Sequence, residues 1–259
     1  MRYLLQRMTP RDALTRPKLR RNIRAKHAGE EFVRSISQLF LGLMIAASVC
    51  GRLAHAQGDA VFLVTYVEAM PDTVASTAAL IKRYQNASSH EDGNVRVEAL
   101  QELERSNRFA IVESWRDKAA LDAHEQSTGT AEFRDKLKAI QAAPYDERIN
   151  GELYAEHSKN ESLAGALYVV THVDVIPPGK DDCMAALKAM SADTAADTGN
   201  ISYEVLQQAN RGNHFAVLEV WANRKALDGH AMAAHTRAFR AKLVPIAGAL
   251  YDERIYKAL

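Results

Sequence analysis

The chain has 259 residues, of which 47% are hydrophobic, and its 33 basic side chains nearly balance 32 acidic ones. Without the first 56 residues, which differ in composition from the rest, 22 basic and 29 acidic residues remain. This acidic balance excludes an extended basic surface for nucleic acid or for anionic lipid.

The first 56 residues have the three parts of an export signal. Residues 1–36 carry ten basic and three acidic side chains, Leu39 to Val49 is an apolar run, and Ala54-His55-Ala56 offers small residues where a signal peptidase cleaves. The apolar run is shorter than the roughly 20 residues that a membrane-spanning helix needs. We therefore expect a Sec-type signal peptide at 1–56, cleavage after Ala56, a periplasmic or secreted protein, and no membrane anchor after processing.

The remainder of the chain is an internal repeat. Tyr145 to Ile149 and Tyr251 to Ile255 are the same pentapeptide, and the residues before them align without gaps at an offset of 106, with roughly a third identical. A period of this length indicates a duplicated domain. We predict a first domain at 57–154, a polar linker at 155–165 and a second domain at 166–259.

Each repeat opens with a strand and a helix. Residues 61–67 and 167–173 are runs of mostly apolar, β-branched and aromatic residues that end close to Pro71 and Pro177, which predicts strands. Apolar residues at helical spacing come next, and a glycine, Gly93 or Gly199, ends the connection that follows each helix.

A hairpin, a helical region and a last strand complete each repeat. In the first copy the predicted hairpin strands are 94–103 and 107–115, joined by a short polar link. Asp117 and Asn223 are candidate N-caps for the helical region that follows. Residues 127–129 are expected to split that region in the first copy, whereas the second copy shows helical spacing from Leu227 to Ile246.

The element order β-α-β-β-α-β predicts an α+β fold made of two tandem ferredoxin-like domains. A four-stranded sheet with both helices on one side leaves its other face bare, and both faces of these strands are apolar. The second repeat is the natural cover, so we expect an intrachain pseudo-dimeric α/β barrel. Such a chain could be a monomeric pseudo-dimer or could form a homo-oligomer.

Two linked motifs occur in both copies. Phe109-x-x-x-Glu-x-Trp115 is followed by Ala120-Leu-x-x-His124, and the same pattern spans Phe215 to His230. These motifs resemble the antibiotic biosynthesis monooxygenase domain family of dimeric α/β barrels. The resemblance implies cofactor-free oxidation of a small electron-rich aromatic, such as a quinol or anthrone, by O2 without metal or flavin. Related domains degrade haem, isomerise signalling molecules or have no known activity.

The motifs also supply candidate site residues. Strand alternation places Phe109, Ile111, Glu113 and Trp115 on one face, which we expect to line the barrel interior. There Glu113 and Glu219 could act as bases or as fixed acceptors, or could simply pair at the end of the sheet. Trp115 and Trp221 could stack on a flat substrate or plug a small core.

Three histidines and one tyrosine complete the set of candidates. His124 and His230 could transfer protons or could cap helix ends. Tyr66 and His172 occupy equivalent places on the first strand of each repeat and could point into a cavity. Because the copies differ here, the two pockets could differ in chemistry, and His172 makes the second repeat our first choice for an active site.

Two other functions remain open from the sequence. One is an exported, non-enzymatic barrel that binds a small apolar ligand. The other is haem binding or breakdown, with His124, His172 or His230 as the iron ligand. A protein metal site is not expected, because His230 and His235 are five residues apart and would lie on different sides of one helix.

Overall fold

The computed structural model describes residues 60–157 and 163–259, all of which belong to one compact unit. The predicted signal peptide at 1–56 lies outside these residues, as does the linker segment 158–162. Among the described helices, none is long and apolar enough to cross a membrane.

The first repeat has the predicted order of elements. Its strands and helices are β1 (Val61–Glu68), α1 (Val74–Ser88), β2 (Asn94–Glu102), β3 (Arg108–Trp115), α2 (Lys118–Glu125), α3 (Thr128–Lys138) and β4 (Asp146–His157). Asp117 caps α2, because its side chain accepts a hydrogen bond from the backbone N–H of Ala120. Ser127 caps α3 in the same way, which confirms the predicted split between the two helices.

The second repeat has the same order. Its elements are β5 (Leu167–Asp174), α4 (Lys180–Thr194), β6 (Asn200–Gln208), β7 (His214–Trp221), α5 (Arg224–Ala231), α6 (Ala234–Leu243) and β8 (Asp252–Ala258). Asn223 caps α5 through the backbone N–H of Ala226. The helical region predicted to run from Leu227 to Ile246 is divided as well, since Ala233 is extended with φ −64° and ψ 152°. Helical spacing alone did not reveal this break, because Ala233 offers no capping side chain.

All eight strands form one closed barrel, in the order β1-β3-β2-β8-β5-β7-β6-β4. The two repeats meet at two seams, one where β2 pairs with β8 and one where β4 pairs with β6, both antiparallel. The second seam is longer because β4 continues to His157, whose register partner is Ser202. The first residues of the predicted linker at 155–165 are therefore part of a strand. The intrachain barrel itself is confirmed.

The core has an inner and an outer layer. Inside the barrel, residues of both repeats form one apolar cluster that includes Phe62, Val112, Tyr168, Leu218 and Tyr256. Outside it, the helices of each repeat pack on their own sheet, over Phe109 and Ile111 in one case and Phe215 and Val217 in the other. Both faces of the barrel wall are thereby covered, although β4 has exposed residues at both ends.

The prediction that Phe109, Ile111, Glu113 and Trp115 line the barrel interior is wrong. Phe109 and Ile111 pack beneath the helices with Phe133, while Ala110 and Val112 point inward. A period of two determines which residues share a face, but it does not determine which face the helices cover. The equivalent residues of the second repeat follow the same arrangement.

The loop before β2 and the loop before β6 each contain a glycine that lies close to the following helical region, and this close contact predicts an effect on stability. Gly199 has φ +80°, and a Cβ atom built there would lie 2.7 Å from the Cβ of Ala226 at the start of α5. We expect Gly199→Ala to lower the free energy of unfolding by about 1–3 kcal/mol, because it combines backbone strain with this clash. Gly151→Ala is the control, since nothing lies within 4 Å of its added Cβ. Urea unfolding of both variants measures the difference, and equal stabilities would contradict the prediction.

Candidate functional site

A buried polar network lies between the sheet and the helices of the first repeat. The Tyr84 hydroxyl donates to Glu113 Oε1 at 2.7 Å and lies 2.7 Å from His124 Nε2. The Trp115 indole N–H donates to Glu113 Oε2 at 3.0 Å, and His124 Nδ1 lies 2.8 Å from Glu91 Oε2. The network therefore runs from the partly exposed Glu91 to the buried Glu113 through one imidazole and one phenol.

Burial determines the electrostatics of this network. It raises the pKa of the Glu113 carboxyl, while His124 and the hydrogen bonds from Tyr84 and Trp115 act in the opposite direction. Burial and the nearby Glu113 also raise the pKa of the Tyr84 phenol. Every polar side chain here has a partner, which is the arrangement that stabilises a buried polar group.

The second repeat keeps the glutamate, the tryptophan and the histidine of this network and changes the tyrosine and the second glutamate. Trp221 donates to Glu219 Oε2 at 2.7 Å, and His230 Nδ1 lies 2.7 Å from Asp197 Oδ2. Met190 stands where the first repeat has Tyr84, so Glu219 lacks the phenol donor. Burial raises the pKa of Glu219 to about 8, with the Trp221 hydrogen bond opposing it. Glu219 is therefore mostly protonated at neutral pH, unlike an ordinary carboxyl group.

A second histidine joins the cluster in this repeat. His235 Nε2 lies 3.0 Å from Asp197 Oδ2, and ligand atoms of Asp197, His230 and His235 are all within 4.8 Å of one another. His230 and His235 were predicted to lie on different sides of one helix, and this prediction is wrong because the helix is not continuous. His230 is at the end of α5 and His235 is in the first turn of α6, so the break between the helices brings both rings to one carboxylate.

Tyr66 and His172 meet inside the barrel. Their ring centroids are 5.2 Å apart, and Arg148 and Arg254 lie over the Tyr66 ring at 5.3 and 5.6 Å. Arg148 Nη1 also lies 3.2 Å from His172 Nδ1. Tyr66 and His172 are equivalent positions of the two repeats, as are Arg148 and Arg254. The cluster therefore lies where the two repeats meet symmetrically. Asp146 and Asp252 neutralise the arginines through salt bridges.

His172 is uncharged at neutral pH. Burial, together with the guanidinium groups of Arg148 and Arg254, lowers its pKa to about 4, although Asp252 and Asp174 act in the opposite direction. An arginine can only donate, so Nδ1 accepts from Arg148 and Nε2 carries the ring proton. The cavity beside Tyr66 and His172 measures only about 10 Å³, so the barrel interior here is packed with side chains.

A larger pocket lies in the second repeat, between the end of β5 and the segment that joins α6 to β8. Its volume is about 440 Å³, within the range of small-molecule sites. The polar lining residues are His172, Asp174, Arg240 and Tyr251, and the apolar ones are Val173, Val175, Leu243, Val244, Ala247, Ala249 and Leu250. The Arg240 guanidinium lies 5.0 Å from the Tyr251 ring and donates to Glu253 at 2.7 Å.

Comparison with known families agrees with this architecture. The family model described as Antibiotic biosynthesis monooxygenase matches residues 60–136 and 166–242, one segment in each repeat. The chain belongs to this family. The resemblance expected from the repeated motifs is therefore confirmed, and the chain carries two copies of a monooxygenase-family domain.

Individual relatives are distant in sequence. The Bacillus subtilis protein named "Putative monooxygenase YcnE" is 24% identical over 86 residues, which are 33% of this chain and 90% of that protein. An uncharacterised protein of Synechocystis sp. is 28% identical over 100 residues, which are 38% of this chain and 68% of the relative. Each relative therefore matches about one repeat.

Two solved structures match both repeats together. A crystal structure named as a putative monooxygenase from Fusobacterium nucleatum has a TM-score of 0.70 and 17% identity, over 78% of this chain and 93% of that one. An "anthrone oxidase-like protein" has a TM-score of 0.63 and 15% identity, over 80% and 93%. At this level of identity, the matches show that the fold is shared.

The predicted site residues fall into three separate groups. Glu113, Trp115 and His124 meet in one network, and Glu219, Trp221 and His230 form its counterpart. Tyr66 and His172 form the third group, inside the barrel. Both tryptophans are fully buried, and each packs near its histidine, at ring distances of 4.4 and 4.7 Å. Their catalytic roles remain predictions.

Sequence reasoning missed several residues of these groups. Arg148 and Arg254 belong to the repeated pentapeptide, and that identity was an available signal that both positions matter. Within it, Glu147 and Glu253 point outward to Arg134 and Arg240. Arg148 and Arg254 point inward, over the Tyr66 ring. No sequence motif contains Tyr84, Glu91 or Asp197, because their roles depend on contacts between elements that are distant in sequence.

The state of His172 predicts how stability depends on pH. An unfolded chain protonates this imidazole near pH 6.5, whereas the folded protein resists protonation until about pH 4. The folded state therefore loses stability as pH falls through this window, by about 3 kcal/mol from this residue. We expect His172→Gln to remove that part of the pH dependence in urea unfolding between pH 7 and pH 4.

His90→Gln at an exposed histidine controls for the loss of one imidazole. If both variants change the pH profile equally, the environment described for His172 is wrong.

Proposed function

We propose that this protein is a cofactor-independent monooxygenase that oxidises an electron-rich aromatic substrate with O2 in the pocket of the second repeat. The observation that carries the proposal is the pocket itself, whose volume of about 440 Å³ can hold a flat aromatic molecule. Family membership supports the reaction class. The pocket supports the choice of the second repeat.

The lining suits such a substrate. Apolar residues such as Leu243 and Val175 would cover the aromatic rings and exclude water, which strengthens electrostatic interactions with a bound anion. Arg240 and Tyr251 form a polar edge, where a substrate oxygen could be held. Glu253 balances the charge of Arg240, so the edge is polar without a large net charge.

The proposed reaction converts an acidic CH2 carbon of an anthrone-like substrate to a carbonyl. Loss of one C–H proton gives a carbanion, which transfers one electron to O2. The substrate radical and superoxide then combine through a new C–O bond, and the peroxide takes up a proton. Cleavage of the O–O bond with loss of the second C–H proton releases water, so CH2 and O2 become C=O and H2O.

His172 is assigned to anion stabilisation rather than to strong base catalysis. A group with a pKa of about 4 holds a proton weakly, so the substrate proton must pass on to water. The neutral ring carries its proton on Nε2 because Nδ1 accepts from Arg148. An N–H donor of this kind can stabilise an oxyanion as it forms.

The haem alternative has weaker support. His124 uses both ring nitrogens, toward Glu91 and Tyr84, and His230 uses Nδ1 toward Asp197. His172 Nδ1 is engaged by Arg148. Iron ligation by His124 would break one of its two contacts, whereas His230 and His172 keep Nε2 for a ligand but are both buried. Non-enzymatic binding of an apolar ligand would use the same pocket, and the following experiment distinguishes it.

The test is O2 uptake by residues 57–259 with a panel of quinols and anthrones. Val244 lines the pocket but is 76% exposed, so Val244→Trp should block the pocket without unfolding the protein. We expect this variant to lower kcat/KM at least tenfold, because the indole would occupy the space of the substrate. A tenfold loss corresponds to about 1.4 kcal/mol. Lys138→Trp is the matched control, because Lys138 is the exposed equivalent in the first repeat.

His172→Gln tests the assigned role, and we expect kcat to fall about a hundredfold with a smaller change in KM. Unchanged turnover in Val244→Trp would show that another site acts. Tight ligand binding without O2 uptake above autoxidation would contradict the proposed enzymatic activity and favour a non-enzymatic binding protein.

A further inference from the structure

The second repeat contains a histidine that has no counterpart in the first. Asp197 and His230 correspond to Glu91 and His124, but His235 stands where the first repeat has Gly129. Both repeats therefore have a histidine–carboxylate pair at the same place. Only in the second does another imidazole reach the carboxylate, as far as the described residues show.

We propose that Asp197, His230 and His235 bind a divalent transition-metal ion, with Zn²⁺ best suited to the donor set. Two imidazole nitrogens and one carboxylate oxygen are typical ligands of Zn²⁺, which leaves a fourth position for water. The same set with open positions can also bind Fe²⁺. This site is independent of the aromatic pocket and of the proposed oxidation.

The distances favour metal binding with little rearrangement. The Asp197 Oδ2 atom lies 2.7 Å from His230 Nδ1 and 3.0 Å from His235 Nε2, and the two rings are 5.5 Å apart. Ligand bonds to Zn²⁺ are about 2.0–2.2 Å, so neighbouring ligand atoms around a tetrahedral ion are roughly 3.3 Å apart. The carboxylate oxygen needs to move only slightly from each nitrogen to admit an ion, and the two nitrogens already lie within 4.8 Å of each other. The ion would replace the two shared hydrogen bonds.

The surroundings supply support and access. His230 is buried, and its Nε2 atom lies 3.9 Å from Glu219 Oε2, on the side away from Asp197. At 3.9 Å this is not a hydrogen bond, so the ring is held by its burial and by its contact with Asp197. Asp197 and His235 are about one-fifth exposed and Asp197 borders a surface cleft of about 480 Å³, so an ion and its water can enter.

The backbone holds the three ligands on separate elements. Asp197 is in the loop before β6, where its N–H donates to Thr194 and its carbonyl accepts from Asn200. His230 ends α5 and His235 begins α6. A bound ion would therefore link three segments of the second repeat, and it should stabilise their native arrangement by mass action.

The experiment is calorimetric titration of Zn²⁺ into the chelator-treated full chain, with thermal unfolding as a second readout. We expect one equivalent to bind and the melting temperature to rise. His235→Gly, which copies the first repeat, and Asp197→Asn should each weaken binding at least tenfold and remove the thermal shift. Glu91→Gln, the equivalent change in the first repeat, should leave both readouts unchanged. Far-UV circular dichroism of the apo variants confirms that they are folded.

Two results would overturn the proposal. One is an absence of Zn²⁺ binding by the wild-type chain. The other is evidence that the ion lies elsewhere. Such evidence would be binding that persists in both His235→Gly and Asp197→Asn, or binding that Glu91→Gln weakens as much as these two changes do. Co²⁺ gives a separate check, because visible absorption that is lost in His235→Gly requires that histidine near the ion. None of these measurements depends on O2 uptake.

Discussion

The inner face of each four-stranded sheet must be buried, and the rest of the structure depends on that requirement. The helices of each repeat cover only the outer face, so residues such as Val112 and Leu218 need a second sheet. The two seams between the repeats provide it and close the barrel. Closure also leaves no free sheet edge among the eight strands.

Because the barrel interior is filled, the larger cavities lie at its margins. The polar networks lie under the helices, and the pocket of about 440 Å³ lies beside the end of β5. Inside, the small cavity next to Tyr66 and His172 has room for about one water at most. The charges beside it are paired, Arg148 with Asp146 and Arg254 with Asp252, and all four side chains remain partly exposed, which limits the cost of their desolvation.

Duplication within one chain has allowed the two copies to diverge. A homodimer would carry every substitution twice, whereas here Tyr84 is replaced by Met190 and Gly129 by His235 in one half alone. The first network is thus a closed set of hydrogen bonds, and the second has a less satisfied carboxyl group and an extra imidazole. The proposed metal site lies in the second repeat because of one such difference, the replacement of Gly129 by His235.

The sequence by itself determined the duplication, the order of elements, the caps at Asp117 and Asn223 and the family, because these depend on local pattern and on self-similarity. Tertiary structure decided which strand face the helices cover, since a period of two is the same for either choice. It also decided that His230 and His235 share Asp197, through a helix break at Ala233 that has no capping side chain to reveal it. Partners such as Arg148 and His172 meet only because the barrel closes, and no local pattern encodes that contact.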